Sequence, residues 1–413
     1  MIIILFFYLL TAITHGSKSY LWKHNWRVNY IQEGTRGPPL LLVPGFGAGT
    51  FHYSRNIPEL SKNHRVYSLD LLGQGRSWPD GPVTPDQKLC YSIELWRDQI
   101  LHFIRDTIKE PVHIAGNSLG GYLAVTVAST DPKLIKSVVL LNPTPFWAFN
   151  TLTSSKYNEK ELSSVYDING SESFSQSNAL VDFASNTAPE STALEAAMAP
   201  ESLLSEDIRQ DTDTAQILSL WDGTLPAPRS LLQFGSTYFD TLRRPETVNR
   251  MLQVVYSDKK AIDQSLVNDI ITSASNVGGH EAFTSILFSP KYKYGFDDML
   301  AAVGRCHPVC LVYGKEDPWI VPYWGQRAKR VLPHAPYFEL SPTGHCPHHE
   351  SPLAVNSIME SWTRSVDEAD DVDARDDARL ELVSSSASDS LKSNQDEAGQ
   401  MPRNVPEMRP RHH

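Results

Sequence analysis

The chain has 413 residues, with 37 basic and 48 acidic side chains, and a formal net charge of −11 at pH 7. That balance, with no basic cluster along the sequence, excludes nucleic acid as the expected partner. Hydrophobic residues make up 41%, enough for one large α/β domain with additions to bury a sizeable core.

Residues 2–10 are continuously apolar. Thr11-Ala12-Ile13 extends the run to about a dozen residues, short of the roughly 20 that a membrane span needs. The length suits the core of a signal peptide, with Thr14-His15-Gly16 as a small-residue cleavage site. An uncleaved anchor is the competing expectation, and no Lys or Arg precedes the run. Residues 1–18 are therefore set apart as a leader, and Trp22 to Tyr30 reads as the first strand of the domain.

Four short apolar runs follow: Leu40–Val43, Val66–Leu69, Val112–Ala115 and Ser137–Leu141. They alternate with amphipathic helical patterns such as Ile93–Ile108, which predicts a mostly parallel sheet covered on both faces. The alternation stops near Pro143-Thr144-Pro145. Residues 150–290 are rich in Ser, Asn and Ala, with short helical patterns at Leu203–Trp221 and Pro245–Tyr256, and read as a helical cap inserted into the core. Strands resume at Pro308–Tyr313 and Tyr337–Leu340, and a helix is expected near Leu353–Arg364. The core thus comprises residues 19–149 and 291–365. Residues 366–413 are acidic and then Ser- and Pro-rich, with almost no aromatics, the composition of a disordered tail.

The stretch with the most chemical content is Val112 to Gly121. A β-branched run leads into Gly116-Asn117-Ser118-Leu119-Gly120, and a helix-compatible segment follows. Strand, sharp turn and helix in that order form a nucleophile elbow with Ser118 at its tip. A serine hydroxyl needs a base, and the base needs an orienting acid; on this framework they follow in the order Ser, acid, His. Asp317 lies in Gly314-Lys315-Glu316-Asp317-Pro318, just after one predicted strand. His345 ends Ser341-Pro342-Thr343-Gly344-His345, just after the next. Ser118, Asp317 and His345 are the expected catalytic set, with Glu316 the alternative acid. The backbone N–H groups of Leu119 and Phe46 are the expected oxyanion donors. Phe46 belongs to the turn Pro44-Gly45-Phe46-Gly47-Ala48-Gly49 after the Leu40 strand. That turn lacks the Lys-Ser/Thr and the spacing of a phosphate-binding loop.

Asp70 reads as a turn residue and His113 as a core histidine within a strand. His345-Cys346-Pro347-His348-His349 has no metal-ligand spacing, and neither metal nor organic cofactor is implied. Four cysteines, Cys90, Cys306, Cys310 and Cys346, form no disulfide framework, although one bridge is compatible with a secretory route. Cys346 reads as buried packing.

Further blocks accompany the elbow, and two of them, Pro143-Thr144-Pro145-Phe146-Trp147 and His345-Cys346-Pro347-His348, are more specific than it is. Pro44-Gly45-Phe46-Gly47 precedes Phe51-His52-Tyr53 and Leu69-Asp70-Leu71-Leu72-Gly73-Gln74-Gly75. Leu95-Trp96-Arg97-Asp98-Gln99 and Asn142-Pro143-Thr144-Pro145-Phe146-Trp147 follow. Tyr313-Gly314-Lys315-Glu316-Asp317-Pro318-Trp319 and Gly344-His345-Cys346-Pro347-His348-His349-Glu350 complete the set. Over residues 20–150 and 305–364 the chain resembles the pheophytinase branch of the α/β-hydrolase superfamily. The resemblance fades in the cap and is absent from the tail. It implies an α/β-hydrolase fold and hydrolysis of the phytyl ester of a pheophytin-type pigment through an acyl-enzyme on Ser118. The implied partner is a hydrophobic small-molecule ester met at membrane surfaces. The implied location is a plastid, entered through the secretory route if the leader is a signal peptide; secretion or an endomembrane location is the alternative. Alternatives on the same site are dephytylation of chlorophyll, hydrolysis of unrelated lipophilic esters, and a ligand receptor that has kept its triad. Dehalogenases and epoxide hydrolases would place Asp where Ser118 stands.

Overall fold

The computed structural model describes residues 17–144, 221–290 and 292–369. Eight strands form one sheet in the order β1-β2-β4-β3-β5-β6-β7-β8. The antiparallel edge is β1 (Ser17–Trp22) paired with β2 (Trp26–Glu33), and β2 pairs antiparallel with β4 (Arg65–Leu69). From β4 onward every pairing is parallel, through β3 (Pro39–Val43), β5 (Val112–Asn117), β6 (Ile135–Leu141), β7 (Val309–Gly314) and β8 (Tyr337–Leu340). All residues of β3, β5 and β7 are buried, the pattern of parallel strands covered by helices on both faces. This is the α/β-hydrolase fold.

The first helices are α1 (Ile57–Leu60), α2 (Ile93–Phe103), which continues as one π-helical stretch through Ile108, and α3 (Leu119–Thr130). Ser92 caps α2 by accepting from Leu95 N–H, and the α2 residues Trp96, Ile100 and Phe103 are buried in the core. Between β6 and β7 the described chain is helical: α4 (Arg229–Leu242), α5 (Pro245–Val255), α6 (Gln264–Ala274), α7 (Gly279–Phe288) and α8 (Phe296–Gly304). Then come α9 (Pro322–Val331), the single turn α10 (Pro347–Glu350) and a helix over 352–369.

Two expectations need correction. Trp22 to Tyr30 is not one strand: the chain reverses between Trp22 and Trp26, with Lys23 and Asn25 at φ 46° and 62°. The turn is hidden because both flanks are aromatic. The last helix runs on to 369, past Arg364, because no Gly or Pro after Pro352 interrupts it. The apolar run 2–13, the helical pattern from Leu203, the Pro145-Phe146-Trp147 block and the tail from 370 lie outside the described residues.

Candidate active site

Parallel strands deliver their loops to one sheet edge, and the motif residues sit on those loops. β5 ends at Asn117, and Ser118 follows at φ 53°, ψ −119° as the N-cap of α3. That conformation is open almost only to glycine, so a serine held there is strained. The surroundings enforce it. Ser118 N–H donates to Leu141 O at 3.0 Å, and its carbonyl accepts from Gly121, Tyr122 and Thr144 N–H. The flanking glycines are required by close approach: a Cβ at Gly116 would collide with the Gly120 backbone, and one at Gly120 with the Val43 carbonyl.

Asp317 and His345 meet after β7 and β8. His345 Nδ1 lies 2.7 Å from Asp317 Oδ2, so the ring nitrogen donates to the carboxylate, and both side chains are buried. Asp317 Oδ1 accepts from Trp319 N–H at 2.8 Å and Ile320 N–H at 3.0 Å, and Oδ2 also accepts from Asn142 Nδ2 at 2.7 Å. The carboxylate is therefore fixed in orientation by four donors. Glu316, the alternative acid, turns away: Ser341 Oγ and Thr343 N–H donate to it at 2.6 and 2.7 Å.

Ser118 shares one cavity of 440 Å³ with His345, Phe46 and Trp319, whose indole stands edge-on to the imidazole at 5.2 Å. The Ser118 hydroxyl is hydrogen-bonded to Thr144 Oγ1 at 2.9 Å. Among the described residues it makes no hydrogen bond to His345. The elbow and the histidine loop are joined through Asn117, whose Nδ2 donates to Leu141 O at 3.0 Å and to His345 O at 2.9 Å. Leu119 opens α3, so its N–H has no intrahelical acceptor. Gly47, next to Phe46, donates its N–H to Gln74 Oε1 at 2.6 Å.

The inserted helices supply an apolar wall that includes Phe239 and Leu242 of α4, Met251 and Leu252 of α5, and Phe283 of α7. Such a lining, with few polar groups near Ser118, suits a lipophilic ligand.

Asp70 is more than a turn residue. It is 2% exposed and accepts from Thr50 N–H, Asn29 Nδ2 and Arg76 N–H at 2.6–2.8 Å. It therefore pins the loop after β3 to the loop after β4. His113 is a core histidine bonded to Ser137 Oγ at 2.8 Å. His348 and His349 are buried beside His52, and among the described residues no group of three or more His, Cys, Asp or Glu could hold a metal ion. All four cysteines are free, with Cys310 and Cys346 buried. No described helix is long and apolar enough to cross a membrane. Asn117, Asn142 and Gln74 belong to the sequence motifs, but only folding shows what their amides hold.

Comparison with known proteins gives concordant results. Residues 40–358 match the model of the alpha/beta hydrolase family. Over 379 residues the chain is 31% identical to the chloroplastic pheophytinase of Arabidopsis thaliana, a match spanning 84% of this chain and 66% of that protein. It is 33% identical over 129 residues to the human (lyso)-N-acylphosphatidylethanolamine lipase, covering 30% of this chain and 34% of the lipase. The fold superposes on a crystal structure of a membrane phospholipase A with a TM-score of 0.55 at 17% identity, covering 88% of this chain and 91% of the other.

Proposed function

The chain belongs to the α/β-hydrolase family, and from that premise we propose that it is a serine hydrolase cleaving lipophilic carboxylic esters through an acyl-enzyme. One observation carries the reading: a buried Asp317–His345 pair at 2.7 Å opens onto the same apolar cavity as a serine strained at a strand-to-helix turn.

In the proposed reaction Ser118 Oγ rotates from Thr144 towards His345 Nε2, gives up its proton there and bonds to the ester carbonyl carbon. Asp317 keeps the Nδ1 proton in place and stabilises the imidazolium. Leu119 N–H, at the positive end of α3, and Phe46 N–H are the proposed donors to the oxyanion. Collapse breaks the bond to the alcohol, which departs with the proton from His345. Water then repeats the steps on the acyl-enzyme and releases the acid and Ser118. Side chains, backbone and water suffice for every step.

Within that class the proposed substrate is the phytyl ester of a pheophytin-type pigment. The identity with the plant pheophytinase supports this, since it extends over most of the chain. The lipase likeness supports only the broader class of lipophilic esters, and the phospholipase likeness, at 17% identity, supports the fold alone. A plastid location, contact with a membrane surface, and residues 150–290 acting as a cap over a core of 19–149 and 291–365 are parts of the same proposal.

The test has two layers. A fluorophosphonate should label the wild-type protein and not Ser118→Ala, and labelling of another serine in the variant would overturn the site. Pheophytin, chlorophyll and a triacylglycerol should then be compared by chromatography of products. Phytol release from pheophytin well above chlorophyll is expected. Turnover of the glyceride with neither pigment cleaved would leave only the broader esterase.

A further inference from the structure

The loop carrying His345 is tied twice to the end of a helix that forms the cavity wall. Val255, the last residue of α5, accepts from His345 N–H at 2.8 Å, and the same residue lines the cavity. The second tie is the Glu350 carboxylate on α10. Its Oε1 accepts from Gly344 N–H at 3.0 Å and Cys346 N–H at 3.4 Å, the two residues flanking His345. Its Oε2 accepts from Ser257 N–H at 2.7 Å and Asp258 N–H at 3.0 Å, just beyond α5. The two segments touch so closely that a Cβ at Gly344 would collide with the Val255 carbonyl.

Helix α5 contributes Val248, Met251, Leu252 and Val255 to the cavity. A wall of this kind gains dispersion contacts when an apolar chain fills the space before it, and lacks them otherwise. An apolar chain in the cavity therefore favours the wall position that touches it most closely. Through Glu350 and the Val255 carbonyl, that position is shared with the backbone on either side of the imidazole.

We propose that Glu350 is a positioning residue coupling occupancy of the cavity by a long apolar chain to the placement of His345. This rests on the reading of the site given above and adds to it a preference for long-chain esters expressed in kcat. Energy from contacts remote from the ester would align the base with Ser118, where a misplacement of about 1 Å can cost about 100-fold in rate.

The experiment compares 4-nitrophenyl dodecanoate with 4-nitrophenyl acetate on the full chain. Wild-type kcat should be higher for the long ester. Glu350→Gln should lower kcat for the dodecanoate roughly tenfold, with KM held by the intact apolar wall, and lower kcat for the acetate no more than about threefold. Asp258→Pro removes one donor to Glu350 on the α5 side, at φ −81°, a value proline tolerates, together with the side-chain cap on Lys260 N–H, which Asp258→Ala removes by itself and so controls for. It should produce a smaller loss of the same selectivity, and it carries the test if Glu350→Gln fails to fold by circular dichroism. Equal losses on both esters would make Glu350 a structural brace and overturn the coupling, as would an unaltered dependence on chain length. Failure of a fluorophosphonate to label Ser118 in wild-type protein would overturn the site reading itself, which these kinetic outcomes do not touch.

Discussion

Asn142 Nδ2 donates to Asp317 Oδ2 at 2.7 Å, the same oxygen that accepts from His345 Nδ1. The amide cannot be reversed, because its Oδ1 accepts from Gly314 N–H at 2.9 Å. Asn142 directly follows β6 at φ 43°, a left-handed conformation that Asn tolerates better than most side chains. One residue past β6 thus fixes both the end of β7 and the carboxylate in the loop beyond it.

Asn142→Ala would leave Gly314 N–H unpaired and remove one of the four donors to Asp317. Loss of a buried partner of this kind costs about 1–3 kcal/mol, and a Cβ without the amide gains nothing from the positive φ. Stability to urea should fall by about that amount. If Asp317 orients His345, kcat on a nitrophenyl ester should fall about tenfold or more, with KM little changed. A variant with normal kcat would show that the backbone donors of Trp319 and Ile320 hold the carboxylate by themselves.

Ser118 offers a separable test of strain. At φ 53°, ψ −119° the side chain costs of order 1–3 kcal/mol, whereas glycine adopts this region freely but loses about 0.5–1 kcal/mol more entropy on folding. Ser118→Gly should therefore unfold at a higher temperature than the wild type while losing fluorophosphonate labelling. Ser118→Ala keeps the Cβ, and its melting temperature should stay near that of the parent. Equal melting temperatures for the two variants would limit the strain stored at the elbow to the about 0.5–1 kcal/mol that glycine loses in entropy, and a lower one for Ser118→Gly would show that the elbow stores less than that.

Legibility in the sequence followed locality. Strands β3 to β7 were readable because a buried parallel strand needs a short unbroken apolar run, and each such run is bounded by turn residues. Ser118, Asp317 and His345 stood out because each lies just past a strand in a short motif. The braces around them were not readable as braces. Asn142 and Asp317 are 175 positions apart, Glu350 and Ser257 are 93 apart, and no periodicity links such pairs. Asp70 looked like turn punctuation because its Asn29 and Thr50 partners belong to other strands and loops. The β1–β2 reversal is hidden in the sequence because its turn residues lie between tryptophans.

Three buried histidines make stability depend on pH. The His52 ring lies 4.6 Å from that of His348 and 5.3 Å from that of His349. Burial first, and then neighbouring positive charge, hold His52 and His348 well below the usual 6.5. His349 is pushed down to about 4 by burial and by Arg55, with Asp263 opposing. Between pH 4 and 6.5 the unfolded chain therefore binds more protons than the folded one, so stability is full above about pH 6.5 and falls as the pH drops towards 4. Asp70 and Glu350, both raised by burial, act in the opposite sense and offset part of the loss at the acid end. Urea midpoints at pH 7.5, 6.0 and 5.0 should decline in that order. His349→Gln should reduce the difference between pH 7.5 and 5.0 by on the order of 2 kcal/mol, since about 1.4 kcal/mol accompanies each pH unit below 6.5 for a group that stays neutral when folded. A variant with the same pH slope as the wild type would show that His349 takes up its proton without unfolding.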